Sequence, residues 1–212
     1  DCGASIRSIM NIGKTTSDEV TDDGLLQNNE DNSEESNNKT INWSSKAIVC
    51  IDAPHGGSDT GQYDGTNYEK TQMLSLADSV KNKLESAGVT VVMTRTTDTS
   101  VDYTKRIEIC NNAKAAALVS FHRDITDKSG SSRGISAWIH TSSPSNSKSL
   151  ASDIMEKLNG VDVSLSGVNT GTPDNKSKDY YLNQHSKVAS CIIELGNMYS
   201  SKDNKLVTTD ID

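Results

Sequence analysis

Ala47-Ile48-Val49-Cys50-Ile51-Asp52-Ala53-Pro54-His55-Gly56-Gly57 is the stretch that decides the fold. Residues 47–53 are a short apolar run ending in a carboxylate, the pattern of a buried strand. Pro54 to Gly57 breaks it, and a loop follows over 58–67. Working outward, 69–87 carries Met73, Leu76, Ala77, Val80, Leu84 and Ala87 at helical spacing, and Gly88 stops that helix. Residues 89–94 read as a second strand. Asp102 is placed to cap a helix from Tyr103 to about Ala115. A third strand over 116–121 ends at His122, and 134–140 alternates like a half-buried strand. A helix over 148–158 and a last strand over 188–195 complete the series. Strands alternating with helices predict an α/β domain with a mainly parallel sheet.

Upstream of Lys46 the texture is different. Residues 1–40 hold nine acids and three bases, so they account for six of the eight net negative charges of the 212-residue chain. Residues 28–38 contain no apolar side chain, which leaves nothing to offset the entropy of ordering them. We therefore expect two parts: a polar acidic segment and linker over 1–45, and a catalytic domain over 46–212. The acidic balance argues against nucleic acid as a partner. No run approaches the ~20 apolar residues that span a bilayer. No signal peptide stands in the chain as it begins at Asp1, and Cys2 raises lipid attachment, which Asp1 before it fits poorly. Cys50, Cys110 and Cys191 show no paired metal spacing and are read as buried free thiols. None lies at a strand end beside a histidine, so a catalytic cysteine is disfavoured.

Sites in open α/β sheets lie beyond the carboxyl ends of the strands. The first strand ends at Asp52 and runs into His55, the third ends at His122, and the last ends at Glu194. Glu69 opens the first long helix after a glycine-bearing loop able to return it toward His55. Two imidazoles and one carboxylate with an open fourth position form a common hydrolytic zinc site. A further carboxylate is then needed to move protons, and Glu194 suits that need. Each residue also has a plainer reading, as a loop histidine, a first-turn helix acid or a turn glutamate. His140 ends a strand too and competes as a ligand.

These residues resemble the zinc-dependent N-acetylmuramoyl-L-alanine amidases of the type-3 family. Ile51-Asp52-Ala53-Pro54-His55-Gly56-Gly57-Ser58-Asp59 is similar to the family's strand and Gly-His-Gly-Gly turn, and Tyr68-Glu69-Lys70 to its Glu-Lys helix start. Residues 88–98 resemble its glycine, strand and Thr-Arg segment, and Arg106, Asn111 and Ala113 its following helix. Val119-Ser120-Phe121-His122, Arg133-Gly134-Ile135 and Ile193-Glu194-Leu195-Gly196-Asn197 complete the likeness, with Asp203 and Leu206 in the following turn. It covers nearly all of 47–207.

The resemblance implies a six-stranded mixed sheet with helices on both faces. It implies one zinc per chain held by His55, Glu69 and His122, with Glu194 as catalytic acid/base, and it sets His140 aside. The implied reaction cleaves the amide between N-acetylmuramic acid and L-alanine in bacterial peptidoglycan. The implied setting is extracytoplasmic, in the cell wall or secreted as an autolysin, and a monomer is expected. Arg123 and Arg133 are candidates for contacting substrate carboxylates. Pro54 departs from the family's glycine, Asp124 brings a negative charge near the metal, and the family's final helix is expected to be absent beyond Asp212. The 72 residues from His122 to Glu194 leave little room for an inhibitory insertion, so an open groove is expected, with residues 164–179 as its rim. Three other readings remain: a catalytically weak peptidoglycan-binding module on the same fold, a zinc exopeptidase, and a non-catalytic α/β scaffold with an acidic tail.

Overall fold

The structure, a computed structural model, describes residues 47–124, 128–162 and 164–208. The expected linker over 1–45 and Cys2 lie outside the described residues. Eleven elements follow one another: β1 (Ile48–Asp52), α1 (Glu69–Ser86), β2 (Thr90–Met93), α2 (Tyr103–Asn112), β3 (Ala117–Asp124), β4 (Ile135–Ile139), α3 (Ser145–Lys157), β5 (Leu165–Thr170), α4 (Tyr181–His185), β6 (Ala189–Asn197) and α5 (Ser201–Thr208). The six strands form one sheet in the order β2-β1-β3-β6-β4-β5. Neighbours are parallel except β4 and β6, which run antiparallel. The expected mixed, mainly parallel six-stranded sheet is therefore the observed one.

Alternation along the strands assigns two faces. Val49, Ile51, Val119 and Ile193 belong to clusters shared with Met73 and Ala77 of α1, Leu150 of α3 and Val207 of α5. Cys50, Leu118 and Ile192 meet Ile107 and Cys110 of α2 and Leu182 of α4 on the other face. Helices thus cover both sides, and strands buried on both faces read as the continuous apolar runs seen in the sequence.

Four local expectations change. Cys50 and Cys110 are not free thiols: they form a disulfide across 60 residues, with Cα atoms 5.5 Å apart, while Cys191 is the buried free thiol that was expected. β3 continues through His122 to Asp124, so His122 lies within a strand and pairs in register with Glu194. Residues 164–179 are not simply a rim, because 165–170 pair with β4 as an edge strand. The turn holding Asp203 and Leu206 is instead the helix α5.

Candidate metal and hydrolytic site

His55, Glu69 and His122 come together at the carboxyl ends of β1 and β3, with one potential ligand atom from each lying within 4.8 Å of the others. Three pieces of local structure bring them there. The first is the turn after β1. His55 adopts φ +60°, a left-handed conformation that is uncommon outside glycine and is held only when its surroundings fix it. Two buried arginines do so by gripping main-chain carbonyls. Arg106 donates to Ala53 O at 2.6 Å and His55 O at 2.7 Å, and Arg95 donates to Ala53 O at 2.8 Å and Pro54 O at 2.9 Å. Arg106 is in turn paired with buried Asp52 at 2.8 Å, and Asp52 also accepts from Thr94 and Ser120, each at 2.6 Å. The Asp52 carboxylate is thereby fully engaged and serves the scaffold.

The second piece is the start of α1. Glu69 is its first residue, almost wholly buried, and its two oxygens each face an imidazole. Oε2 lies 3.2 Å from His55 Nε2, and Oε1 lies 3.2 Å from His122 Nδ1. The main-chain N–H groups of Gln62 and Arg123 donate to the same two oxygens, both at 2.9 Å. Gly61 allows this approach. A Cβ there would stand 2.5 Å from the His55 ring and 2.7 Å from Glu69 Oε2, so only glycine fits.

The third piece is β3 beside β6. His122 and Glu194 are register partners on the face covered by α2 and α4. Glu194 Oε1 accepts a hydrogen bond from the Tyr180 hydroxyl, and Oε2 is buried without a partner among the described residues.

The charges are coupled. Burial works against ionising Glu69, yet the hydrogen bonds and charges of His122 and His55 hold its carboxyl well below the ordinary range. Burial likewise opposes a charged His55, but Glu69 and Asp59 raise it to about 9; Glu69 raises His122 in the same way. The carboxylate and the two imidazoles thus support one another's charged forms, and binding a metal would release the protons from both rings. Asp59 accepts from His55 Nδ1 at 2.9 Å, which orients the ring and leaves Nε2 facing Glu69. Two imidazoles, a carboxylate and this orienting partner suit zinc. Glu194 departs in the other direction. Burial pushes it up to about 7, with Glu69 and Asp124 reinforcing and His122 and Tyr180 opposing.

The remaining sequence candidates separate. His140 lies outside the cluster, 3.2 Å from Asp179. Arg123 is buried, with its guanidinium donating to Gln72 at 2.7 Å, Asn204 at 2.9 Å and Gly196 O at 3.3 Å. That corrects its expected role in binding substrate: its groups are spent tying β3 to α1 and α5. Arg133 is exposed, and its main-chain N–H donates to Asp203 at 2.6 Å. Sequence reasoning missed Asp59, Tyr180 and the structural use of Asp203. Asp59 stands four residues after His55, a spacing that offered a signal; Tyr180 offered none.

A mainly parallel α/β sheet with a His-Glu-His donor set at its carboxyl edge, beside a buried carboxyl, has the parts that a metal-dependent hydrolase would need. Comparison with known proteins narrows this class. The sequence pattern described as N-acetylmuramoyl-L-alanine amidase matches residues 49–212, and the chain belongs to that family. N-acetylmuramoyl-L-alanine amidase LytC of Bacillus subtilis is 29% identical over 157 residues, which is 73% of this chain and 30% of LytC. The probable cell wall amidase LytH of Staphylococcus aureus is 31% identical over 174 residues, 81% of this chain and 55% of LytH. The chain therefore spans about a third of one relative and about half of the other. A crystal structure of N-acetylmuramoyl-L-alanine amidase from Clostridium difficile 630 superposes with a TM-score of 0.70 at 27% identity, covering 79% of this chain and 89% of that one.

Proposed function

We propose that this chain hydrolyses the amide between N-acetylmuramic acid and L-alanine in peptidoglycan, with His55, Glu69 and His122 holding one zinc and Glu194 moving the proton. The observation that carries the reading is the buried Glu194 carboxyl, in register with His122 and with one oxygen left free beside the His-Glu-His donor set. Bound there, zinc would polarise the scissile carbonyl and acidify the attacking water. The rest falls to the chain's own groups. Tyr180 fixes Glu194 through Oε1, which leaves Oε2 to accept the water's proton and return it to the departing alanine nitrogen. A group performing both halves works best when its pKa lies near the working pH, and burial pushes Glu194 up to about 7. Asp59 keeps the His55 ring oriented, and the Arg95 and Arg106 clamps keep its strained main chain in place. Exposed Arg133 is retained as a contact for substrate carboxylates.

The domain limits of 46–212 with a separate acidic segment belong to this proposal, as does a monomer acting outside the cytoplasm, in the wall or secreted. The Cys50–Cys110 disulfide supports that compartment, since such bonds persist in oxidising surroundings. None of the described helices is long and apolar enough to cross a membrane. The test is digestion of purified sacculi by zinc-loaded protein with the products identified. New amino-terminal alanine without new reducing sugar ends supports the amidase. Release of single amino acids points to an exopeptidase, and binding without products points to a non-catalytic module.

A further inference from the structure

Tyr63, Tyr68, Tyr103 and Tyr181 are the large hydrophobic side chains most exposed among the described residues, at 45%, 41%, 54% and 36%. They are not scattered. Tyr63 and Tyr68 stack with centroids 4.5 Å apart and planes 22° apart, and Tyr103 and Tyr181 meet at 5.6 Å and 31°. Each pair is tied to the candidate site through the chain. Tyr68 immediately precedes Glu69, and Tyr181 immediately follows Tyr180, whose hydroxyl holds Glu194. The first pair rises from the loop after β1. The second joins the starts of α2 and α4 on the face that carries His122 and Glu194.

Both pairs are braced. The Tyr63 hydroxyl donates to Gly65 O at 2.6 Å, and the Tyr199 hydroxyl donates to Tyr63 O at 2.8 Å. Tyr181 shares a 3.1 Å hydrogen bond with Thr104, and its ring stacks on His185 at 4.0 Å. Rigid exposed aromatics of this kind mark a surface prepared for a partner, since little side-chain entropy remains to be lost on binding.

We propose that the two tyrosine pairs, the second through Tyr103 because the Tyr181 ring is already stacked on His185, are sugar-stacking platforms that hold the glycan strand of the substrate near the hydrolytic site. The inference deepens the amidase reading and rests on it for the identity of the polymer. The scissile amide of that substrate hangs from a sugar ring through a single lactyl group, so pyranose rings must lie close to Glu69 and Glu194. The C–H-rich face of a pyranose is flat and apolar, its rim is hydroxylated, and it is uncharged. Tyrosine matches all three features with an aromatic face and a hydroxyl edge. The sugar polymer is favoured over a protein partner because Tyr68 and Tyr181 are chain neighbours of Glu69 and Tyr180, the groups that must meet the sugar-borne amide.

The test measures binding of the zinc-loaded chain to peptide-free polymeric glycan strands, which it cannot hydrolyse. Probes are those strands, free stem peptide and a soluble muramoyl-peptide monomer. Tyr63→Ala with Tyr68→Ala, and separately Tyr103→Ala with Tyr181→Ala, should each weaken strand binding by at least ~10-fold, the scale of a central aromatic contact. Zinc content and kcat on sacculi should hold while KM rises. Because the first pair borders the loop that carries Glu69, Tyr63→Trp with Tyr68→Trp serves as a control that preserves the stacking surface and should retain affinity. Parental strand binding by both alanine pairs would overturn the proposal. So would a loss confined to free stem peptide, or an absence of strand binding by the parent. Strand binding without amide cleavage would instead sink the amidase reading and leave the platforms standing.

Discussion

On the face covered by α1, α3 and α5, the central strands stay apolar as far as Ala53, Phe121 and Leu195. On the face covered by α2 and α4, the same strands begin with Cys50, Leu118 and Ile192 and then turn polar at Asp52, Ser120, His122 and Glu194. One set of strands therefore presents a continuous core on one side and a core followed by a charged shelf on the other. Burial of unpaired charge is costly, so such a shelf persists only when each group has a partner or a use. Asp52 and Ser120 are satisfied by each other, Arg106 and Thr94. His122 faces Glu69, and one oxygen of Glu194 remains unmatched. The lower half of this shelf is scaffold, and the upper half is available for chemistry.

The contrast breaks hardest at Glu69. Glu69→Ala removes the group that both histidines face, and the protein should pass through gel filtration with no zinc, as read by metal analysis. Next in size is the buried ion pair. Arg106→Leu leaves Asp52 uncompensated and frees the carbonyls of Ala53 and His55. We expect a loss of about 3–5 kcal/mol in denaturant unfolding, with zinc affinity falling as well. Ile193→Ala, on the apolar face, should cost about 2–5 kcal/mol and leave zinc affinity intact. If both variants leave zinc equally well bound, the clamp has no part in shaping the site.

The disulfide sharpens the comparison from below. Cys50 and Cys110 join β1 to α2 on the shelf side, whereas Cys191 sits alone on the apolar side, its thiol pushed up to about 12 by burial. Replacing the pair by Cys50→Ala and Cys110→Ala should cost about 2–5 kcal/mol in the same unfolding measurement, and added reductant should then have no further effect. The smallest effect concerns Tyr180. Tyr180→Phe leaves Glu194 Oε1 without its donor, a charge-assisted bond worth ~1.5–3 kcal/mol, so kcat should fall by at most roughly 10- to 150-fold at unchanged zinc content.

Much of this was legible in the sequence because the informative signals are local. β1, α1, β2, α2, β3, β4, α3 and β6 each carry their own periodicity or apolar run, and His55, Glu69, His122 and Glu194 stand at or near the ends of those elements. β5 was missed because Leu165-Ser166-Gly167-Val168-Asn169-Thr170 lies at the sheet edge and buries little, so its pattern is weak. α4 is five residues long, shorter than any window in which helical spacing can be judged. The disulfide joins residues 60 apart, and the Tyr180–Glu194 bond needs a loop to fold back over β6; neither pairing leaves a trace in spacing. Arg123 was misassigned for a related reason. An arginine one residue after a ligand reads as exposed, but β3 continues past His122 and turns Arg123 into the interior, where Gln72 and Asn204 receive it.

The central claim is that zinc is held by His55, Glu69 and His122 while Glu194 acts on the proton from outside that set. One paired measurement on Glu194→Gln tests it: bound zinc, and the rate at which amino-terminal alanine appears from sacculi. Glutamine keeps the size of the side chain and can still bond Tyr180, but it cannot take a proton. The account predicts full zinc and turnover reduced by at least ~10²-fold. Turnover at the parental rate, or loss of the zinc together with the activity, would contradict it.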